Sequence, residues 1–115
     1  MEKAYFTSAG EGERVGPNEH RVLGELSDLE VIELTFDAGF EVDPHAHDDH
    51  TDSFFVLEGE VEFFLDSEWR RGAPGTFVSV PPGIVHGFRN PGPGHIRVLN
   101  IHAPKAGFID RIRNR

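Results

Sequence analysis

Short apolar stretches alternate with glycine- and proline-rich breaks along the chain, a pattern typical of folds built from many short strands. The clearest alternation lies in 29–36, where Ile32, Leu34 and Phe36 share one face of the predicted strand. Similar stretches predict further strands at 20–26, 54–57, 61–65, 76–80, 85–89 and 96–102. We find no pattern for a long amphipathic helix, and one helical turn is expected at 108–113. The pattern therefore indicates an all-β fold.

The 115 residues fit a single domain, whose strand-rich part covers 19–104. The stretch 1–18 is rich in glycine and weakly patterned. We expect it to form an arm that pairs with a neighbouring sheet edge or exchanges with a second chain. The stretch 105–115 is expected to be a short solvated tail, whose basic residues are Lys105, Arg111, Arg113 and Arg115.

Composition and charge narrow the functional classes. A net charge of −9 argues against a nucleic-acid-binding surface, because phosphate groups require a basic one. The chain has no cysteine, so any metal must be bound through imidazole, carboxylate and water. No apolar region follows Met1 in the manner of a signal peptide, and no apolar run has the length of a membrane span. We therefore expect a cytoplasmic protein without nucleic-acid or membrane partners.

Two histidine-bearing segments, each bracketed by glycine and proline, carry the candidate chemistry. In the first, His45 and His47 are two residues apart and would project from the same face of a strand. Asp52 follows a polar turn, and it would return beside the two histidines if the next strand paired antiparallel with theirs. His86 opens a separate strand after a Pro-Pro-Gly bend. In a closed sheet these side chains would offer three nitrogens and one oxygen to a divalent metal, with positions left open for water or substrate.

The two segments resemble the paired sequence motifs of the cupin superfamily. The first motif is G-x5-H-x-H-x3,4-E-x6-G, and its fixed positions fall on Gly39, His45, His47, Asp52 and Gly59. The second motif is G-x5-P-x-G-x2-H-x3-N, and its fixed positions fall on Gly75, Pro81, Gly83, His86 and Asn90. Every spacing agrees, and one residue departs from the pattern, since Asp52 stands where the motif has glutamate. The short stretch between the motifs is similar to that of small single-domain cupins.

The resemblance implies a double-stranded β-helix, the jelly-roll barrel of cupins, with one divalent transition metal per chain inside it. His45, His47, Asp52 and His86 would bind Fe, Mn, Ni, Co or Zn, metals that imidazole and carboxylate ligands do not separate sharply. Aspartate is one methylene shorter than glutamate, so His50 is an alternative fourth ligand, and a three-histidine centre is another possibility. Small cupins commonly dimerise through their N-terminal strands, so a homodimer is expected.

Among cupin activities, the resemblance favours a quercetinase-like dioxygenase acting on a small organic molecule, with Asp52 as the general base. Two alternatives stay open: a non-oxidative metal-dependent isomerase or cyclase, and a binding or sensing module without turnover. The fold hosts all three, so it does not decide between them. The residues expected to line the substrate pocket are Phe54, Phe77, Phe88 and His102. Arg89 and Arg97 are candidates for binding an anionic substrate, although exposed strand charges are more common.

Overall fold

The structure is a computed structural model that describes residues 2–114. Within these residues the chain forms ten strands and one short helix, which confirms the all-β prediction and the helical segment at 108–113. The strands are β1 (Glu13–Val15), β2 (His20–Glu25), β3 (Glu30–Phe36), β4 (Glu41–His45), β5 (Thr51–Glu58), β6 (Val61–Leu65), β7 (Glu68–Gly72), β8 (Phe77–Val80), β9 (His86–Arg89) and β10 (Ile96–Ala103), and the helix is α1 (Phe108–Arg113). None of the described helical residues belongs to a segment with the length and apolar character of a membrane span.

The strands pair antiparallel in two sheets that enclose the core. One sheet has the strand order β1-β2-β3-β10-β5-β8, and the other has the order β4-β9-β6-β7. Consecutive strands such as β4 and β5, or β7 and β8, lie in different sheets, so the chain crosses repeatedly from one sheet to the other. This alternation is the double-stranded β-helix, or jelly roll, that the motifs predict.

The core lies between the two sheets and is built from alternate residues of each strand. Along β3, Ile32 and Leu34 are 0% and 2% exposed, and the half-buried Phe36 packs against the same cluster, as the alternation predicted. Along β10, the apolar Val98 is followed at the next inward positions by Asn100 and His102, all of them buried. The interior is therefore apolar at one level of the barrel and polar at another.

The N-terminal stretch lies against the sheet of its own chain. Residues 13–15 form β1, which pairs with β2, and residues 2–12 form no strand. The backbone N–H of Gly10 donates to Oε1 of Glu33 at 2.6 Å, and Nε of Arg97 donates to Oε2 of the same carboxylate at 3.0 Å. Glu33 is thereby buried on the outward face of β3. Exchange of this arm with a second chain stays a prediction.

The C-terminal helix α1 docks on the barrel through an apolar face. Ile109 is 0% exposed and Ile112 is 8% exposed. The buried carboxylate of Glu30 accepts hydrogen bonds from the backbone N–H groups of Ala106, Phe108 and Ile109, at 3.1, 3.1 and 3.3 Å. The first N–H groups of a helix have no intrahelical partners, so the Glu30 side chain caps this helix although it is distant in the sequence.

The docked helix also brings basic residues of the C-terminal stretch beside carboxylates. Nη2 of Arg113 donates to Oε1 of Glu25 at 2.9 Å, and Nζ of Lys105 lies 3.2 Å from Oε2 of Glu25. The prediction of a solvated tail is therefore wrong for Lys105 and Arg113. Arg111 is exposed, and the fourth basic residue, Arg115, lies outside the described residues.

Candidate metal centre

The four predicted ligands meet at the polar level of the barrel. One donor atom from each of His45, His47, Asp52 and His86 lies within 4.8 Å of the others. Nε2 of His45 is 3.1 Å from Nε2 of His47. Oδ2 of Asp52 is 2.9 Å from Nε2 of His86 and 3.5 Å from Nε2 of His47. Two segments that are distant in the sequence therefore share one cluster of nitrogen and oxygen donors.

Both sheets contribute to this cluster. His45 ends β4 and pairs with His86 on the neighbouring β9. His47 comes two residues after β4 ends, so the prediction that both histidines lie on one strand is wrong, although their rings still meet with centroids 4.7 Å apart. Asp52 lies on β5, which pairs with β8 and β10 rather than with β4. The antiparallel pairing considered for the Asp52 strand is not formed, and the carboxylate reaches the histidines across the barrel.

Backbone carbonyls fix the orientation of two of the imidazoles. Nδ1 of His45 donates to the carbonyl oxygen of Asp43 at 2.8 Å, and Nδ1 of His86 donates to the carbonyl oxygen of Ile84 at 3.0 Å. A neutral ring that donates from Nδ1 keeps a lone pair on Nε2, and in both rings Nε2 faces the cluster. Histidines that bind metals are commonly held in this way.

The surroundings of His86 show that a cation fits the cluster. Its two ring nitrogens face two acceptors, the carbonyl of Ile84 and the carboxylate of Asp52. A neutral imidazole has a single N–H, so one of these contacts requires an added positive charge, either a proton or a metal ion. The donor separations of 2.9 and 3.1 Å also suit neighbouring ligands that lie about 2.0–2.1 Å from one ion. The chemistry and spacing of the donor set therefore fit a divalent transition metal.

Neighbouring groups hold Asp52 in its ionised form. The residue is buried, and its Oδ1 accepts a hydrogen bond from Nδ2 of Asn100 at 2.7 Å and lies 3.3 Å from Nε2 of His102. Burial opposes ionisation, but the hydrogen bonds from His102 and His86 outweigh it and hold the pKa of the Asp52 carboxyl well below its usual range. A carboxylate that is so difficult to protonate suits a metal ligand, and these contacts weigh against the general-base role predicted for Asp52.

A second cluster shares Asp52 with the first. A ring nitrogen of His50, one of His102 and a carboxylate oxygen of Asp52 lie within 4.8 Å of one another. His50 is 6% exposed, and its Nδ1 donates to Oδ1 of Asp49 at 2.8 Å. Its Nε2 is buried and has no hydrogen-bond partner within residues 2–114. A buried polar atom without a hydrogen-bond partner lowers the stability of the fold. This nitrogen is therefore free to bind a ligand, a substrate or a metal.

A cavity of about 310 Å³ adjoins both clusters. Three of the predicted pocket residues line it: Phe54 and Phe88, whose ring centroids are 5.5 Å apart, and His102. The fourth, Phe77, lies elsewhere and is 59% exposed. On β8 the inward positions belong to Val78 and Val80, so strand alternation turns Phe77 outward.

Other cavity residues were not predicted from the sequence. Phe36 and Phe40 form part of the wall as a stacked pair with centroids 3.8 Å apart, and His20 of β2 lies beside Phe36. The alternation along β3 already placed Phe36 on the inward face, so that signal was available. Phe108 and Arg111 come from α1, and no local pattern in the sequence indicates where that helix docks.

The two strand arginines considered for anion binding have structural partners instead. Nε of Arg89 donates to Oε1 of Glu62 at 2.8 Å, and its guanidinium carbon lies 3.8 Å from the ring centroid of Trp69. Arg97 is bound to the buried carboxylate of Glu33. Neither of these arginines lines the cavity beside the metal centre.

Comparison with known proteins establishes the family. A family model for the cupin domain matches residues 32–102, more than half of the chain, so the protein belongs to the cupin family. Quercetin 2,3-dioxygenase from Bacillus subtilis (strain 168) is 30% identical over 91 residues, which are 74% of this chain and 27% of that protein. The chain thus spans about a quarter of the length of this relative. An uncharacterized protein from Aquifex aeolicus (strain VF5) is 31% identical over 100 residues, 78% of this chain and 81% of that protein.

Solved structures share the fold. KdgF from Halomonas sp. aligns with a TM-score of 0.75 at 24% identity, covering 91% of this chain and 96% of that one. An RmlC-like cupin from Shewanella frigidimarina aligns with a TM-score of 0.77 at 24% identity, covering 90% of this chain and 94% of that one. These similarities cover about nine-tenths of this chain and show that it shares their fold.

Proposed function

We propose that this protein is a metal-dependent cupin oxygenase that acts on a small, largely apolar organic molecule. The observation that carries the proposal is the convergence of His45, His47, Asp52 and His86 beside a cavity with aromatic walls. The similarity to quercetin 2,3-dioxygenase supports an activity of the quercetinase kind over the other reactions that cupins perform. Because the chain spans only part of that relative, the substrate is proposed by class and not by name.

The four ligands would hold one Fe, Mn, Ni, Co or Zn ion, since three imidazoles and a carboxylate accept any of these metals. When bound, such an ion makes a coordinated substrate hydroxyl more acidic and supplies the Lewis-acid or redox chemistry of the reaction. The protein contributes the orientation of the ligands, through the carbonyls of Asp43 and Ile84, and a cavity with aromatic side chains in its wall.

We assign proton acceptance from the substrate to His50. His50 lines the cavity, and its Nδ1 donates to Asp49, so the lone pair of the neutral ring is on Nε2, which has no hydrogen-bond partner within residues 2–114. After Nε2 takes a proton, the carboxylate of Asp49 stabilises the imidazolium through the Nδ1–H bond. Asp52 is less suited to this role, because its Oδ1 accepts a hydrogen bond from Asn100 and its other oxygen would bind the metal.

Metal analysis tests the ligand assignment. We expect protein purified without an affinity tag to hold about one divalent ion per chain, and His86→Ala to lose most of it, because one of the donors is removed. The matched control is His95→Ala, since His95 is exposed and its imidazole contacts no polar group other than Glu58 within residues 2–114. Unchanged metal content in His86→Ala would show that the cluster does not bind the metal.

Oxygen consumption tests the reaction. We expect the metal-loaded protein to take up oxygen when a flavonol or an aromatic 1,3-diketone is added. His50→Gln should slow that uptake while metal content stays unchanged, and loss of metal from this variant would make His50 a ligand rather than a base. Conversion of the substrate without oxygen uptake would point to an isomerase or cyclase. Binding without any product would point to a sensing module, and either outcome would overturn the oxygenase proposal.

A further inference from the structure

The cavity beside the metal centre is basic, although the chain has a net charge of −9. The described residues that line it include five histidines and an arginine, and none of them is an aspartate or a glutamate. Asp52 lies behind this lining and is 4% exposed. A ligand that fills the cavity therefore meets one guanidinium and no carboxylate among the described lining residues, which is unexpected on composition alone and favours an anion.

Arg111 carries the fixed positive charge of this lining. Its Nη1 donates to the carbonyl oxygen of Ala106 at 3.1 Å, and within residues 2–114 no carboxylate lies at ion-pair distance from its guanidinium. Arg113, two positions further on, is bound by Glu25. Because a guanidinium has five N–H donors in a planar fork, Arg111 keeps the geometry that binds a carboxylate through two hydrogen bonds.

The helix that carries Arg111 is held firmly. Its Ile109 and Ile112 side chains are buried in the core, and Glu30 binds the N–H groups at its start. The position of Arg111 relative to the barrel is therefore set by packing, and only its own side chain needs to be ordered on binding. A charged group on a fixed element recognises an anion at a defined distance from the metal centre.

Phe108 lies near Arg111 in the sequence and beside the second cluster in space, because it contacts His102. The ring of Phe108 meets the ring of His102 edge to face, with centroids 5.2 Å apart. Arg111 follows Phe108 by three positions on the helix, so their Cβ atoms are about 5–6 Å apart on one face. His102, Phe108 and Arg111 all line the same cavity.

A second donor lies in the same wall. Nδ1 of His20 accepts the backbone N–H of Thr35 at 3.1 Å, so the neutral ring carries its proton on Nε2. That nitrogen lies 3.5 Å from Nδ2 of Asn18, which is a long contact between two groups that both donate. His20 and Asn18 both line the cavity, so they offer further N–H groups to an anionic ligand.

We infer that the substrate is an aromatic or conjugated carboxylate, with an oxygen that binds the metal at one end and a carboxylate group bound by Arg111 at the other. The metal-facing half of this inference rests on the proposed oxygenase function. Recognition of the carboxylate by Arg111 does not depend on the oxygenase function, so binding measurements test it separately from turnover.

Calorimetric titration with a matched pair of probes, 2-naphthoate and 2-naphthamide, tests the inference on the purified protein. The two molecules have nearly the same shape, and only the first is an anion. We expect the wild type to bind naphthoate about tenfold more tightly than naphthamide, and Arg111→Gln to lose this preference. The control Arg70→Gln removes the same charge from an exposed position on β7 outside the cavity, and it should keep the preference.

The inference is overturned by equal affinity of the wild type for both probes, by binding of neither, or by a preference that survives in Arg111→Gln. If that surviving preference disappears when the metal is chelated, the carboxylate binds the metal and not the arginine. An equal loss of affinity for both probes in Arg111→Gln would show packing rather than charge recognition, and would also overturn it. These outcomes do not change the oxygen-uptake test of the wild type, so the proposed function is tested independently of this inference.

Discussion

Glu30 is a buried carboxylate that joins the barrel, the C-terminal helix and the polar interior. It is 0% exposed, and it accepts hydrogen bonds from Nδ1 of His102 at 2.8 Å and from backbone N–H groups of residues 106, 108 and 109. Burial opposes its ionisation, but the hydrogen bonds from His102 and Phe108 outweigh burial and hold the pKa of Glu30 below its ordinary value. The charge of Glu30 is therefore integral to the fold.

Glu30→Gln keeps the shape of the side chain and removes this charge. The amide NH2 of the glutamine would face the N–H groups that Glu30 now accepts from. At least one hydrogen bond is therefore lost, and the others weaken because the acceptor is no longer charged. Hydrogen bonds to charged groups contribute about 1.5–3 kcal/mol each. Breaking a buried ion pair by neutralising one partner costs about 3–5 kcal/mol, and we expect a loss within that range. Since small domains are stable by about 5–15 kcal/mol, this change is a large fraction of the total.

Urea unfolding followed by circular dichroism at neutral pH measures the effect. Glu68→Gln is the matched control, because Glu68 is exposed and makes no ion pair with residues 2–114, and it should stay within about 0.5 kcal/mol of the wild type. The folded pKa of Glu30 is lower than the unfolded one, so its contribution is complete above the unfolded pKa and is lost as pH falls through the folded pKa. A Glu30→Gln protein as stable as the control would refute this reasoning.

Two further predictions concern a buried imidazole and a close backbone contact. His20→Asn keeps an acceptor for the N–H of Thr35. Burial lowers the pKa of His20, so the unfolded state binds more protons than the folded state. The free energy of unfolding of the wild type should therefore fall relative to that of this variant as pH falls below about 6.5. A difference in urea unfolding that does not change with pH would contradict this. Gly87→Ala places a Cβ 2.6 Å from the carbonyl oxygen of Val42, and should cost about 2 kcal/mol and loosen metal binding. Gly94→Ala, whose Cβ meets nothing within 4 Å, is its control, and equal melting temperatures would exclude the predicted clash.

Local pattern indicated seven of the ten described strands and the donor types of the site. Alternation along the chain identified the inward faces, as Ile32 and Leu34 show, because side chains of a strand point to opposite faces in turn. The spacing of His45, His47 and His86 relative to glycine and proline indicated a metal site before any geometry was known. The first signal depends on residues that are close in the sequence, where backbone geometry relates one side chain to the next. The second depends on the spacing within each of the two histidine-bearing segments.

The tertiary structure decided which elements face each other. The β5 strand joined the sheet opposite β4, so Asp52 reaches the histidines across the barrel. Phe77 turned outward because Val78 and Val80 fill the core, and α1 docked although its sequence is basic. Glu30 and Ile109 are 79 positions apart, yet their hydrogen bond holds that helix against the cavity. Such contacts form because they bury apolar surface and satisfy buried hydrogen-bonding groups. Both depend on segments that are distant in the sequence, so they cannot be read from any one segment alone.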